Sequence, residues 1–146
     1  MNREIKFRGR HLCGQWYFGN LIVRETDSPV QETPQAYKCV MIGDIEDGSA
    51  EEVEEETIGQ FTGLLDKNGK EIYEGDILQT RANFKGVVMW NKNGNFYINN
   101  DKELKEKLCE NLGVMLEYAQ FEVIGNIHDN PEICVTDTAV LTNTKR

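Results

Sequence analysis

The sequence predicts a mainly β protein, and three observations carry that reading. Short runs of β-branched and aromatic residues recur along the chain, among them "QWYFGNLIV", "YKCVMIG", "KGVVMWN" and "FEVIGNI". Gly-containing turns such as "DKNG" and "KNG" separate them. A single segment, "NNDKELKEKLCENLG", has helical spacing. Many short strands with frequent turns and one helix make two small β subdomains, the second suited to an SH3-like bent barrel.

The elements follow in order. In "EIKFR", residues 4–8, Ile5 and Phe7 point to one side and Lys6 and Arg8 to the other, which reads as a half-buried strand with a basic outer face. A turn over Gly9–Gly14 returns the chain into "QWYFGNLIV", so the first two strands form a hairpin, with Gly19 as a candidate bulge. Residues 25–36, "ETDSPVQETPQA", hold two prolines and little to bury and read as a mobile loop. "YKCVMIG" is a third strand, and the acidic segment 44–56 reads as a second mobile loop. In "DKNGK", Asn68-Gly69 matches a type I′ hairpin turn with two positive φ angles. "EIY", "ILQT", "KGVVMWN", "NFYI" and "QFEVIGNI" continue as strands.

The helix is expected near residues 101–112. Leu104, Leu108, Cys109 and Leu112 share a face, Asn100 or Asp101 caps the start, Glu103 and Lys107 form an i,i+4 pair, and Gly113 ends it. Val114–Tyr118 then reads as extended. The organisation is an N-terminal β subdomain over 1–60, a C-terminal SH3-like subdomain over 61–133, and a disordered tail over 134–146.

At 146 residues the chain is long enough to bury a core. No apolar run reaches the length of a membrane span, and no apolar segment follows the basic start "MNREIKFRGR"; the expectation is a cytoplasmic protein without membrane contact. The net charge of −9 disfavours broad phosphate-backbone binding. Charge is nevertheless segregated. Asp44, Glu46, Asp47, Glu51, Glu52 and Glu54–Glu56 form an acidic block with no Lys or Arg between 39 and 66, while Arg3, Lys6, Arg8 and Arg10 crowd the start. These four cations with Trp16 and Tyr17 are the candidate partner-binding residues. They fit either a protein surface or a nucleic-acid face built from basic and aromatic groups.

Catalytic chemistry finds little footing. The carboxylates of "IGQFTGLLDKNGKEIYEGDILQ" are Asp66, Glu71, Glu74 and Asp76, and each adjoins a turn, where acids serve local hydrogen bonding. Counted from Asp66 as a calcium loop, the glycine falls fourth and the twelfth residue is Ile77, so the pattern fails. Cys13, Cys39, Cys109 and Cys134 include no C-x-x-C pair, and a zinc site on His11 and Cys13 would need distant help from Cys39 or His128. The only serines, Ser28 and Ser49, lie in polar segments, and no phosphate-binding loop is present. The expectation is no catalytic residue, no metal, no cofactor, and therefore no enzyme.

"REIKFRG", "GQWYFGNL", "IGQFTGLLDKNGKEIYEGDIL" and "FEVIGNIHDNPE", in that order over residues 1–133, resemble the YopX family of phage and prophage proteins. After "KFR" this chain has "GRHLCGQW", where the family pattern has an aromatic or small residue followed by Asp. The resemblance implies a β-rich fold without assigned enzymatic activity and a phage-derived context, hence a bacterial host's cytoplasm, and leaves the function open; the missing catalytic groups and the segregated charge point to a non-enzymatic binding or assembly role. The expected partner is another protein or a second copy of the chain, with a nucleic-acid-binding module as the alternative.

Overall fold

The computed structural model describes residues 3–27, 36–100 and 111–135. Packing divides the chain into one unit ending at Phe61 and a second beginning at Thr62.

In the first unit, β1 (Phe7–Arg10), β2 (Trp16–Asp27), β3 (Ala36–Gly43), β4 (Glu51–Glu52) and the start of β5 (Gly59–Leu65) form an antiparallel sheet in the order β4-β3-β2-β1-β5. β2 is the longest strand because it serves two partners. Trp16–Gly19 pair with β1, and Asn20–Asp27 pair with β3. Gly19 stands at the change of partner. The β1–β2 ladder runs through it without a register shift, so it is no bulge. Its φ of 147° suits glycine, and an added Cβ would sit 3.1 Å from the Gly43 Cα. β2 and β3 extend to Asp27 and Ala36, so both ends of the expected 25–36 loop are strand, and 28–35 lie outside the described residues.

The acidic segment, expected as a loop, begins as turn over 44–50 and then forms β4 and a 3-10 turn. Asp44 Oδ1 accepts from the Glu46 N–H, Asp47 Oδ1 from the Ser49 N–H, and Ser49 Oγ from the Asp44 N–H. β4 then pairs with Met41 and Ile42, and a 3-10 turn covers Glu55–Thr57. The physical reason is that acids next to Ser and Gly hydrogen-bond their own backbone, while Val53 within the run and Thr57 just after it are apolar or small enough to bury. Val40, Ile42 and Val53 make the small core of this unit. Gly9 lets β1 approach it: a Cβ there would lie 2.6 Å from Val53 Cγ2.

In the second unit, the remainder of β5 is followed by β6 (Glu71–Tyr73), hydrogen-bonded beside it. A separate antiparallel sheet has the order β10-β7-β8-β9, from β7 (Asp76–Gln79), β8 (Lys85–Asn91), β9 (Asn95–Asn99) and β10 (Glu122–Asn126). Alternation decides its faces: Leu78, Val88, Ile98 and Val123 point into the core with Ile72 and Phe121. Val123 and Gly125 pair with Leu78 and Ile77, so Ile124 is the extra residue of a bulge. The strands make an open sheet and not the closed SH3-like barrel expected from their spacing.

The described helix also differs in position. α1 spans Leu112–Tyr118, where extended chain was expected; Asn111 Oδ1 caps it by accepting from the Val114 N–H at 3.2 Å. Leu112, Met115 and Leu116 have the i, i+3, i+4 spacing that turns one face to the core, and Gly113 lies within the helix rather than ending it. Residues 101–110, the bulk of the expected helix, are outside the described residues. A short α2 (Pro131–Val135) begins with proline at its first position, and residues 136–146 of the expected tail are again outside the description.

Four hairpins share one loop design. In "HLCGQ", "DKNGK", "TRANF" and "NKNGN" the fourth residue has positive φ: Gly14 at 93°, Gly69 at 80°, Asn83 at 63° and Gly94 at 90°. Its N–H donates to the carbonyl of the first residue in each case, at 2.8–3.1 Å. The first side chain also accepts from the loop backbone, through His11 Nδ1, Asp66 Oδ1, Thr80 Oγ1 and Asn91 Oδ1. This is a three-residue loop with a left-handed fourth position. It replaces the type I′ turn expected at Asn68-Gly69, since Asn83 is the one described non-glycine residue with positive φ.

Candidate functional site

The six candidate residues start from β1 and its neighbour. In the β1–β2 ladder Arg8 lies opposite Phe18 and Arg10 opposite Trp16, so both arginines share a face with Trp16 and Phe18. Tyr17 lies opposite Gly9 on the other face, where its ring meets His11 edge-on at 6.5 Å. The basic strand therefore keeps Trp16 and loses Tyr17 as a companion.

The cations of that strand are engaged within the chain. Arg8, expected outward, is only 7% exposed, with its guanidinium 4.8 Å from the centre of the Trp16 ring. Arg10 Nε lies 3.7 Å from Glu54 Oε1, and the Arg10 N–H donates to Thr57 Oγ1 at 2.8 Å. Lys6 Nζ is 3.2 Å from Glu4 and 5.0 Å above the Phe61 ring. Arg3 is exposed. Ile5, expected inward, is 62% exposed. Gly9, on the Phe7 side of β1, meets Val53, and on the other side Arg8 is buried against the Trp16 ring, so both sides of the strand are covered while Ile5, before it, is exposed.

The carboxylates of the central stretch are bound to backbone. Asp66 is 7% exposed. Its Oδ1 accepts from the N–H groups of Asn68 and Lys70, and its Oδ2 from the Val123 N–H at 3.0 Å. Burial opposes its charge, but the N–H groups of Val123, Lys70 and Asn68 outweigh burial and hold the carboxyl below its ordinary range. Asp76 Oδ2 accepts from the Tyr73 N–H at 2.7 Å and closes the turn through Glu74-Gly75. Glu71 accepts from the Tyr73 hydroxyl, and Glu74 is pushed up by burial. Asp66 and Asp76 are thus committed to backbone N–H groups, and Glu71 to the Tyr73 hydroxyl.

His11 and Cys13 come together through backbone, the Cys13 N–H donating to His11 Nδ1 at 3.0 Å. Among the described residues no three His, Cys, Asp or Glu side chains converge as metal ligands. Burial, then the Glu52 carboxylate, raise the thiol of Cys39.

A feature absent from the sequence reading is a cleft of about 380 Å³ in the first unit. Its floor is Val40 and Val53, the β1–β2 hairpin supplies His11 and Leu12, and β3, β4 and the 3-10 turn supply Lys38, Glu52, Glu54 and Glu55. Lys38 forms an ion pair with Glu55. Leu12 is 83% exposed at the hairpin tip. The acidic block carried the signal for the rim, but its loop-like composition concealed Val53, the residue that folds the block against β3. No helix among the described residues is long and apolar enough to cross a membrane.

A comparison with solved structures finds a crystal structure of protein EF1440 from Enterococcus faecalis, with a TM-score of 0.50 and 24% identity, covering 90% of this chain and 99% of that one. The likeness concerns the fold. No curated protein matches the chain. The YopX protein family model matches residues 6–134, nearly the whole described chain, and the protein belongs to that family.

Proposed function

We propose that the protein works by binding, as a non-enzymatic assembly or adaptor component of phage or prophage origin in the bacterial cytoplasm, and that its partner is another protein or a second copy of itself. The observation that carries this reading is the use of the central carboxylates. Asp66 spends both oxygens on three backbone N–H groups and Asp76 closes a turn, so both are occupied with the shape of the turns. Exposed apolar side chains add support: Phe18 and Val23 are each 54% exposed on β2, and Leu12 stands at a hairpin tip.

Size-exclusion chromatography with light scattering, across protein and salt concentration, tests self-association, and affinity capture from phage-induced cells tests a foreign partner. A monomer at every concentration that retains nothing would overturn the proposal. The alternative, nucleic-acid binding on the basic strand, is read by gel shift at low salt. A shifted band that Lys6→Glu abolishes would favour it, and Lys6 is the better probe because Arg8 is buried.

A further inference from the structure

We propose that the tip of the β8–β9 hairpin is a site of spontaneous covalent modification: Asn93 closes onto the Gly94 nitrogen and becomes aspartate and isoaspartate, while Asn68, in the same tripeptide on a matching loop, is protected. This is independent of the binding reading above. Only these two asparagines of the chain precede glycine, each within Lys-Asn-Gly, at 67–69 and 92–94. Asparagine is thermolabile, and a following glycine has no Cβ to keep its nitrogen from the side-chain carbon. Both tips are exposed, and both glycines have positive φ. In the step itself the Gly94 N–H gives its proton to hydroxide, the nitrogen bonds to Asn93 Cγ, the Cγ–Nδ2 bond breaks, and ammonia leaves with a proton from water. Water then opens the cyclic imide. Cleavage at Cγ yields aspartate, and cleavage at the backbone carbonyl carbon yields isoaspartate.

Tethering separates the two sites. Each glycine N–H is held by the carbonyl of its loop's first residue, Gly69 by Asp66 at 3.0 Å and Gly94 by Asn91 at 2.9 Å, so closure waits on local opening. The first loop is fastened to β10 and the residue before it. The Lys67 N–H donates to the Phe121 carbonyl at 2.9 Å, Asp66 Oδ2 accepts from the Val123 N–H, Lys67 Nζ lies 3.4 Å from Glu122 Oε2, and Asn68 Nδ2 donates to Glu122 Oε1 at 3.2 Å. In the second loop the backbone N–H groups of Asn93 and Gly94 both end on Asn91, within the loop itself. The Asn93 side chain has no partner among the described residues, and β9 is the last strand of its sheet. An edge hairpin of this kind opens more readily than a loop held from a second strand. The product carries a new carboxylate, and its iso-linked form an extra backbone methylene, close to the half-exposed Trp90.

The test ages the full chain in warm, mildly alkaline buffer and follows both tripeptides by digestion and mass spectrometry, with fragmentation that tells isoaspartate from aspartate. Asn93 should convert about tenfold faster than Asn68 in the folded chain. In concentrated urea the two should agree to within about twofold, because the tripeptide is shared and the tethers are gone. Glu122→Ala removes one tether and should speed Asn68 about threefold, with the Asn93 rate unchanged as the sign of an intact fold. Equal rates in the folded chain, faster loss of Asn68, a preference for Asn93 that urea leaves intact, or an Asn68 rate indifferent to Glu122→Ala would each overturn the proposal.

Discussion

Asp66 sits in a place where a carboxylate is expensive and yet ionised. It is buried, and three backbone N–H groups converge on its two oxygens. Replacing it by Asn turns an N–H₂ toward one of those donors and should destabilise the fold by about 1–3 kcal/mol, read by urea denaturation. Because its folded-state pKa is lowered, its contribution is fully present above the unfolded value and is lost as pH falls through the folded one. Acid unfolding of the wild type should therefore steepen below the ordinary Asp range, and Asp66→Asn should flatten that limb. Glu74 has the opposite sign. Burial raises it, so its favourable contribution belongs to low pH and is lost as pH rises through the folded value. Glu74→Gln should leave stability at neutral pH unchanged or improved, and a loss there would contradict the burial argument. Both acids were legible as turn residues from "LLDKNGK" and "YEGD", since turn chemistry is local. That Asp66 also binds Val123, 57 residues away, was not, because no local pattern encodes a long-range partner.

At the scale of elements, what was legible follows the range of the interactions. The strands 37–43, 85–91 and 95–98 were readable because period-two alternation and β-branched residues act locally, whereas the first strand, expected over 4–8, spans Phe7–Arg10. Helix α1 was not legible although Leu112, Met115 and Leu116 carry the right spacing, because seven residues are too few for a clear period and Gly113 also fits a helix end. The burial of Arg8 was illegible for a different reason: it depends on Trp16 arriving from the next strand. Two steric predictions belong here. In β8, a Cβ on Gly86 would lie 2.1 Å from Ile98 Cγ2, so Gly86→Ala should cost about 1–3 kcal/mol by urea denaturation through forced separation of β8 and β9. At the β7–β8 loop, Asn83→Ala should cost about 1 kcal/mol, whereas Asn83→Gly should be tolerated, because φ is 63° there. Equal loss in both would mean that the Asn83 acceptor for Gln79, and not the backbone angle, is what matters.

For the whole molecule, composition spoke correctly about class and poorly about surface. A mainly β chain follows from its strands and turns, and the family assignment over residues 6–134 agrees with the motifs quoted for it. Net charge suggested a basic face opposed to a mobile acidic one. The described structure pairs Arg10 with Glu54, joining the two blocks inside one unit, and Lys38 of β3 with Glu55. A charge-reversal pair should expose that linkage: Arg10→Glu should destabilise, and adding Glu54→Arg should restore part of the loss, by about 0.5–1 kcal/mol in thermal unfolding at low salt.

The four matched hairpin loops have an implication for tolerance to change. Their course is fixed by the first residue and by the left-handed fourth, which leaves Leu12-Cys13, Arg81-Ala82 and Lys92-Asn93 as interchangeable tips, whereas Glu122 holds both Lys67 and Asn68. Such a chain can alter what it displays at each apex without renegotiating its architecture, and a foreign dipeptide exchanged into any of them should be carried at little thermodynamic penalty.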